Sequence, residues 1–255
     1  MSVELTERGD CAVITLNRPE ALNALSFGVL RRLGEVFDEL AETNARALIV
    51  TGAGTKAFCA GADIKELRDR DLKAQKRGAE LGQAVFAKLD RLSMPSIAVI
   101  NGFAFGGGLE LALACTFRIA TRNAKMGLPE IKLGLIPGYG GTQRLPRVVG
   151  EARALEIIMT GRSVAADEAE KIGLVHRLVD GDALEAGLAF ASEFTSYSLP
   201  VLLFARGAVR RALDVPIHEG LEIEADLSTL AFQTKDAAEG TAAFEEKRKP
   251  RFSDE

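Results

Sequence analysis

Apolar and polar positions change period several times along the chain, and each change marks an element. Val3–Arg8 and Cys11–Leu16 are strand-like runs on either side of Gly9-Asp10, a pair suited to reversing the chain, so they predict a hairpin. Phe27, Leu30, Leu33, Val36, Phe37 and Leu40 recur at helical spacing and predict a helix over 27–40. Ala47–Thr51 is a short apolar run of the kind that forms a buried strand, and Leu72–Leu92 predicts a longer helix stopped by Met94-Pro95. A strand over Ser96–Ile100, a short helix over Leu109–Cys115 and a strand over Phe117–Ala120 follow. Strand and helix thus alternate, which predicts an α/β core.

Beyond residue 150 the pattern turns helical. Ala152–Met159 and Ala165–Lys171 predict helices, with Gly173 ending the second, and Leu174–Val179 predicts a strand. From Ala183 onward the chain is helix-compatible, and Pro200 and Pro216 divide it into about three helices. The expected division is a core over residues 1–196 and a helical region over 197–255. Amphipathic helices of this kind bury little apolar surface alone, so they need the core or neighbouring subunits to pack on.

Composition narrows the class. With 47% hydrophobic residues and a net charge of -4, the chain can build a core, so disorder is excluded as its main state. The balance of 32 basic against 36 acidic residues argues against nucleic-acid binding, which normally draws on a basic excess. Cys11, Cys59 and Cys115 are odd in number and far apart, as expected of reduced, buried thiols. The first residues lack an apolar signal core, and no apolar run is long enough to span a membrane. A soluble cytoplasmic protein is the expectation.

Several chemistries are missing from the motifs. There is no Walker A loop, no Gly-x-Ser-x-Gly elbow and no HExxH pair, and His176 and His218 stand 42 positions apart. No metal site is therefore expected, and both histidines read as structural or surface residues. Gly52-Ala53-Gly54-Thr55-Lys56-Ala57 fits the loose dinucleotide fingerprint, but Cys59-Ala60-Gly61-Ala62-Asp63 interrupts the helix that such a site requires.

A stronger signal is Gly106-Gly107-Gly108-Leu109-Glu110, between a strand and an apolar helix. Its glycines allow close backbone approach, and helix-start N–H groups can stabilise a developing anion; tight helix–strand packing would use the same triplet. Glu110 is a lone charge in an apolar segment, and Glu130 follows in the turn-forming Gly127-Leu128-Pro129-Glu130-Ile131. If the segments converge, two carboxylates share one pocket and can handle water or a proton, with one pKa raised. Separately, each glutamate could be a helix-start or ion-paired residue. Leu133–Leu145 is a glycine-rich turn running into a helix, a structural turn that could also line a pocket or bind an anion. Lys247-Arg248-Lys249-Pro250-Arg251 is a solvated tail or a phosphate contact.

Taken in register, NRPEALNAL (17–25), KAFCAGADIKEL (56–67), PSIAVINGFAFGGGLELALAC (95–115), GLPEIKLGLIPGYGGTQRLPR (127–147) and FEEKRKPRF (244–252) resemble the crotonase superfamily, and most closely its enoyl-CoA hydratases of fatty-acid β-oxidation. The resemblance covers essentially the whole chain. It implies a spiral of strand–strand–helix turns followed by a helical trimerisation region, assembled as a homotrimer or a homohexamer. It retires the dinucleotide reading, since the residues after Gly52 become the loop before an oxyanion donor.

By the same resemblance, the backbone N–H groups of Ala62 and Gly107 hold the thioester oxygen of an acyl-CoA substrate. Asp63, Ile64 and Lys65 continue, after Ala62, the strip along bound CoA, with Ala60 and Ala24 near its adenine end. Lys56, Phe244 and Lys247 match positions near the nucleotide and its phosphates. Glu110 and Glu130 match the two catalytic glutamates, the first activating water for attack at C3 and the second delivering a proton to C2. No cofactor is implied beyond the CoA of the substrate. Leu109, Thr116 and Leu128 depart from the commonest pattern, where cysteine, aspartate and glutamine are frequent, and Leu109 and Leu128 bear on how the glutamates are hydrogen-bonded. Phe103, Phe105, Tyr139 and the segment Asp69–Gly78 are expected to shape the acyl pocket. An isomerase or a specialised lyase on the same fold, and a non-catalytic RNA-binding relative, are the competing readings.

Overall fold

A computed structural model describes residues 2–255. They divide into two compact units, the first ending at Ala191 and the second spanning Ser192–Glu255. The boundary placed from sequence near residue 196 falls in the turn that follows the last helix of the first unit.

The first unit opens with the predicted hairpin, β1 (Val3–Arg8) and β2 (Cys11–Leu16), with Arg8 opposite Cys11 and Gly9 at φ +57°. Gly9 takes that left-handed conformation without a side-chain clash. Helix α1 (Phe27–Ala41) follows, its first turn capped by Ser26, whose Oγ accepts from the Val29 N–H at 3.1 Å. Its apolar stripe from Leu30 to Leu40 is buried, as the spacing requires.

Three strand–strand–helix repeats then follow. The first comprises β3 (Ala47–Gly52), β4 (Ala57–Cys59), a short α2 (Ile64–Leu67) and α3 (Leu72–Ala87). The second comprises β5 (Ser96–Ile100), β6 (Phe103–Phe105) and α4 (Gly107–Ala114). The third comprises β7 (Phe117–Thr121), β8 (Lys125–Gly127), α5 (Gly141–Val149) and α6 (Glu151–Thr160). A small strand β9 (Val164–Ala165), α7 (Ala166–Lys171), β10 (Arg177–Val179) and α8 (Ala183–Ser192) complete the series.

First strands of successive repeats lie side by side in a six-stranded sheet of order β1-β2-β3-β5-β7-β10. Every pair in it except β1–β2 is parallel. β3 and β5 are buried at every position, which is why they read as unbroken apolar runs. Second strands form another sheet, β4-β6-β8-β9, parallel through β8. The spiral implied by the family resemblance is thus present as two parallel ladders climbing together.

Some expectations change. The second sheet was not visible in the hydrophobic pattern, because its strands have three residues or fewer and cannot show an alternation. The helix expected over Leu72–Leu92 ends at Ala87 and tightens into a 3-10 turn over Lys88–Asp90; Leu89 and Leu92 stay buried, so the apolar spacing continues past the helix. The strand expected over Leu174–Val179 keeps only its last three residues, since the N–H groups of Leu174 and Val175 close the end of α7 on the Ala169 carbonyl. The Gly52–Ala57 stretch leads into β4 and not into a helix. Gly52 is there for packing, because a Cβ would overlap the carbonyl oxygens of Ala57 and Phe58.

In the second unit lie α9 (Leu199–Arg211), α10 (Ile217–Phe232) and α11 (Lys235–Glu245). The break between the last two, unmarked by proline, is set by Thr234, whose hydroxyl accepts from the Ala237 N–H at 3.0 Å. An apolar groove of about 500 Å³ runs between these helices, floored by Val201, Leu202 and Phe252. Val209, Leu213, Ile217 and Phe232 are exposed. Among the described residues no helix is long and apolar enough to cross a membrane.

The tight packing of α4 on β4 is testable. A Cβ on Gly108 would overlap the Cys59 carbonyl oxygen, so Gly108→Ala is expected to lower unfolding free energy by about 3 kcal/mol in urea titration. Gly28→Ala, in the first turn of α1 with only Ser26 Oγ nearby at 3.6 Å, is expected to raise it by about 0.5 kcal/mol.

Candidate active site

The short ladder β4-β6-β8 brings three chain segments out at one edge. Residues 60–62 follow the carboxyl end of β4, 106–107 that of β6, and 128–130 that of β8. Gly106 N–H donates to the Gly127 carbonyl at 3.0 Å, which ties the second exit to the third. Gly61, at φ +110°, lies so close that a Cβ would stand 3.0 Å from the Phe105 oxygen and 3.7 Å from the Gly107 nitrogen. The carboxyl ends of parallel strands are where α/β folds commonly bind ligands, and a cavity of about 270 Å³ opens here.

Two residues at these exits, Ala62 and Gly107, have main-chain N–H groups that the local ladder and helix do not use. In the bridge between Leu25 and Ala62, Leu25 bonds to the flanking residues, with its N–H on Gly61 O at 2.8 Å and its carbonyl on Asp63 N–H at 2.9 Å. The Ala62 N–H therefore takes no part in that bridge and turns to the other side. Gly107 is the first residue of α4, so its N–H has no acceptor within the helix. Both residues line the cavity.

Glu110 sits one turn into α4, only 1% exposed. Its Oε1 accepts from the N–H groups of Tyr139 and Gly141, both at 2.7 Å. The glycine-rich block after Leu133 therefore does bind an anion, and the anion belongs to the protein. Burial pushes the Glu110 carboxyl up to about 7, with the charge of Glu130 pushing the same way; the Gly141 and Tyr139 amides and the Arg144 charge pull it back.

Glu130, in the 3-10 turn Pro129–Leu133, enters the same cavity. Its Oε1 is so close to Gly106 that a Cβ there would stand at 2.8 Å. Its Oε2 is buried without a hydrogen-bond partner, and burial raises this carboxyl too. Leu109 and Leu128 are fully buried and supply no polar group to either glutamate. Thr116, the third departure from the family pattern, exchanges hydrogen bonds with Ser96 at 3.0 and 3.2 Å.

Of the residues singled out from sequence, Ala60, Ala62, Ile64, Gly107, Glu110 and Glu130 meet around the cavity. Asp63 lies just outside, pairing with Arg18 at 3.3 Å and capping α2 by accepting from the Lys65 N–H at 3.3 Å. The same Arg18 donates to the Ala24 carbonyl at 3.0 Å, so Ala24 and Asp63 are joined through it. Lys56 and Lys65 are exposed and outside the lining. Phe244 and Lys247 belong to the second unit, on and just after α11, and are exposed there.

The expectation for Phe103 and Phe105 is corrected. Two residues apart on β6, they share one face and stack on each other with centroids 5.6 Å apart, outside the cavity lining. Tyr139 does line it, and the 69–78 segment contributes Gln75 and Gly78 from α3. The Leu133–Leu145 block, read from sequence as a structural turn that could also line a pocket, does line it, through the exposed apolar side chains of Leu133, Leu135 and Ile136. Among the described residues no group of three or more His, Cys, Asp or Glu side chains could hold a metal ion.

Chemically, two carboxyl groups with raised pKa values share one cavity, and groups of that kind can take up and give up a proton. One is fixed by two amides, and the other has a buried oxygen without a donor. Comparison with known proteins agrees with that chemistry. A family model described as enoyl-CoA hydratase/isomerase matches residues 6–255. A probable enoyl-CoA hydratase of Rhizobium meliloti is 45% identical over 246 residues, covering 96% of this chain and 95% of that protein. A short-chain-enoyl-CoA hydratase of Clostridium acetobutylicum is 40% identical over 250 residues, covering 97% and 96%. The crystal structure of an enoyl-CoA hydratase from Bacillus anthracis superposes with a TM-score of 0.95 at 39% identity, covering 100% of both chains. The chain belongs to the enoyl-CoA hydratase/isomerase family, within the crotonase superfamily.

The burial of Glu110 predicts a pH-dependent stability. Its folded pKa is about 7 against an ordinary 4.5, so the native state holds this proton longer than the unfolded chain does. Stability from this group is therefore complete below about 4.5 and is lost as pH rises toward 7. Glu110→Gln removes that slope. In urea titrations from pH 4 to pH 8, the variant is expected to gain on the wild type by on the order of 3 kcal/mol. A difference that does not vary with pH would contradict the burial argument.

Proposed function

We propose that this chain hydrates the double bond of trans-2-enoyl-CoA thioesters to give 3-hydroxyacyl-CoA. The observation that carries this is the pair of carboxylates in one cavity, with Glu130 Oε2 buried and unpartnered. A buried acceptor of that kind calls for a donor, and a water or a substrate group can supply it.

In this mechanism the thioester oxygen lies between the Ala62 and Gly107 N–H groups. Glu110 takes a proton from a water as the water oxygen bonds to C3. The π electrons shift toward the thioester oxygen, forming an enolate, and Glu130 gives its proton to C2. Raised pKa values suit both roles, since they make Glu110 a stronger base toward the water and favour the protonated form that Glu130 needs as the acid. Each oxyanion donor is worth about 3–4 kcal/mol of barrier. The apolar Leu133, Leu135 and Ile136 suit an acyl chain. Asp63, Ile64 and Lys65 continue the strip for CoA, with Ala60 and Ala24 toward the adenine and Lys56 toward the phosphates. No cofactor beyond the CoA of the substrate is drawn on.

The exposed apolar residues of the second unit support its role as an oligomerisation region, in a homotrimer or homohexamer. Phe232→Asp is expected to shift sedimentation equilibrium to smaller species.

Activity is tested by following the enoyl-thioester absorbance of crotonyl-CoA. Wild type is expected to deplete it, while Glu110→Gln and Glu130→Gln each slow the reaction by about 10²–10⁴. A wild type that instead shifts the double bond of 3-enoyl-CoA without adding water would identify an isomerase.

A further inference from the structure

We infer that Arg144 is a positioning residue for Glu110, fixing the peptide that holds the Glu110 carboxylate. The inference rests on the hydratase reading for its kinetic consequences, while its structural basis is independent of the reaction.

Arg144 lies one turn into α5 with its side chain 23% exposed. Its guanidinium turns back along the helix, and Nη1 donates to the Tyr139 carbonyl at 3.1 Å. The Tyr139 residue is thereby held at three points. Its N–H is on Glu110 Oε1, its carbonyl is on Arg144, and its ring is buried edge-on to Phe86 with centroids 5.8 Å apart. Gly140, at φ +116°, makes the return possible, because a Cβ there would occupy the place of Arg144 Nη1. On its far side Nη2 stands 4.0 Å from an Asp90 carboxylate oxygen, in the 3-10 turn after α3. A planar donor fork is suited to joining these two points, and a lysine would reach only one of them.

The arrangement has a second effect. Two charged groups act on Glu110, Glu130 from the Pro129–Leu133 turn and Arg144 from α5. The Tyr139 phenol and the Cys115 thiol are pushed up to about 12 by burial and stay neutral. Arg144 is therefore the cation that opposes both the burial of Glu110 and the charge of Glu130. Removing it loosens the Tyr139–Gly141 donors and leaves the buried carboxylate harder to ionise.

The test compares wild type, Arg144→Met and Arg144→Lys, each checked for native circular dichroism. In Arg144→Met, kcat on crotonyl-CoA is expected to fall about 10²-fold with KM little changed, as for loss of alignment. The acid limb of the pH–rate profile is expected to move to higher pH. Arg144→Lys should restore the limb and only part of kcat. The titration of Glu110, read by ¹³C NMR of its labelled carboxyl, should rise in Arg144→Met whatever the substrate proves to be. Unchanged titration and unchanged kcat in Arg144→Met would overturn the inference, as would a change confined to KM. If Arg144→Met fails to fold, Arg144→Lys decides: a wild-type kcat overturns the inference. A wild type inactive on enoyl-CoA with a shifted Glu110 titration would refute the hydratase reading while leaving the positioning role intact.

Discussion

The arrangement of the site depends on the main-chain hydrogen bonding of three very short parallel strands. β4, β6 and β8 together comprise only nine residues, yet their ladder obliges three distant segments to leave one edge in parallel. One exit supplies Ala62, the next Gly107 and the third Glu130. Parallel strands cannot be joined by tight turns, so each exit is separated from the next by a long crossover. Those crossovers contain the helices and the strands of the larger sheet, whose unbroken apolar runs fix the spacing of the repeats. Glycine is needed where the exits nearly touch: at Gly61, which lies against the Phe105 carbonyl, and at Gly106, where Glu130 Oε1 occupies the space a side chain would take.

A second constraint is the burial of Glu110. An ionised carboxylate in an apolar helix is strongly disfavoured unless compensated, and here the compensation comes from one turn between β8 and α5. Two amides point at the same oxygen, an arginine stands behind them, and the tyrosine ring packs against Phe86. What looks in isolation like a phosphate cradle is an internal anion holder. Glu130 is treated differently, with one oxygen against Gly106 and the other lacking a protein donor. The two carboxyl groups share a cavity but differ in how they are held, and two environments of that kind set two carboxyl groups apart in their protonation.

How much of this was legible depends on the length of each signal. The hairpin, α1, β3, β5 and the helix after the triple glycine were readable because each carries a full period of its pattern or an unbroken apolar run. The small sheet was not, since three-residue strands such as Phe103–Phe105 have no period to show. That sheet positions the site, so residue patterns alone could nominate Glu110 and Glu130 but not bring them together; the family resemblance supplied the link. Tyr139 and Gly141 act on Glu110 through main-chain N–H groups, which any residue but proline possesses, so side-chain identity does not advertise them. For Leu133, Leu135 and Ile136 the sequence left a pocket lining and a structural turn both open, for a related reason. Apolar residues in a turn do not signal whether they line a cavity or simply remain at the surface.

Because the Ala62 and Gly107 amides are main-chain groups, substitution at their own positions cannot delete them unless it introduces proline. The two glutamates, in contrast, are ordinary side chains, each removable by a single codon change. Mutational drift thus falls unevenly on this scaffold: the carboxylates are easily lost or exchanged, while the main-chain donors persist for as long as the ladder folds. A lineage built on such a scaffold can replace its carboxylates one at a time and keep the backbone groups beside them.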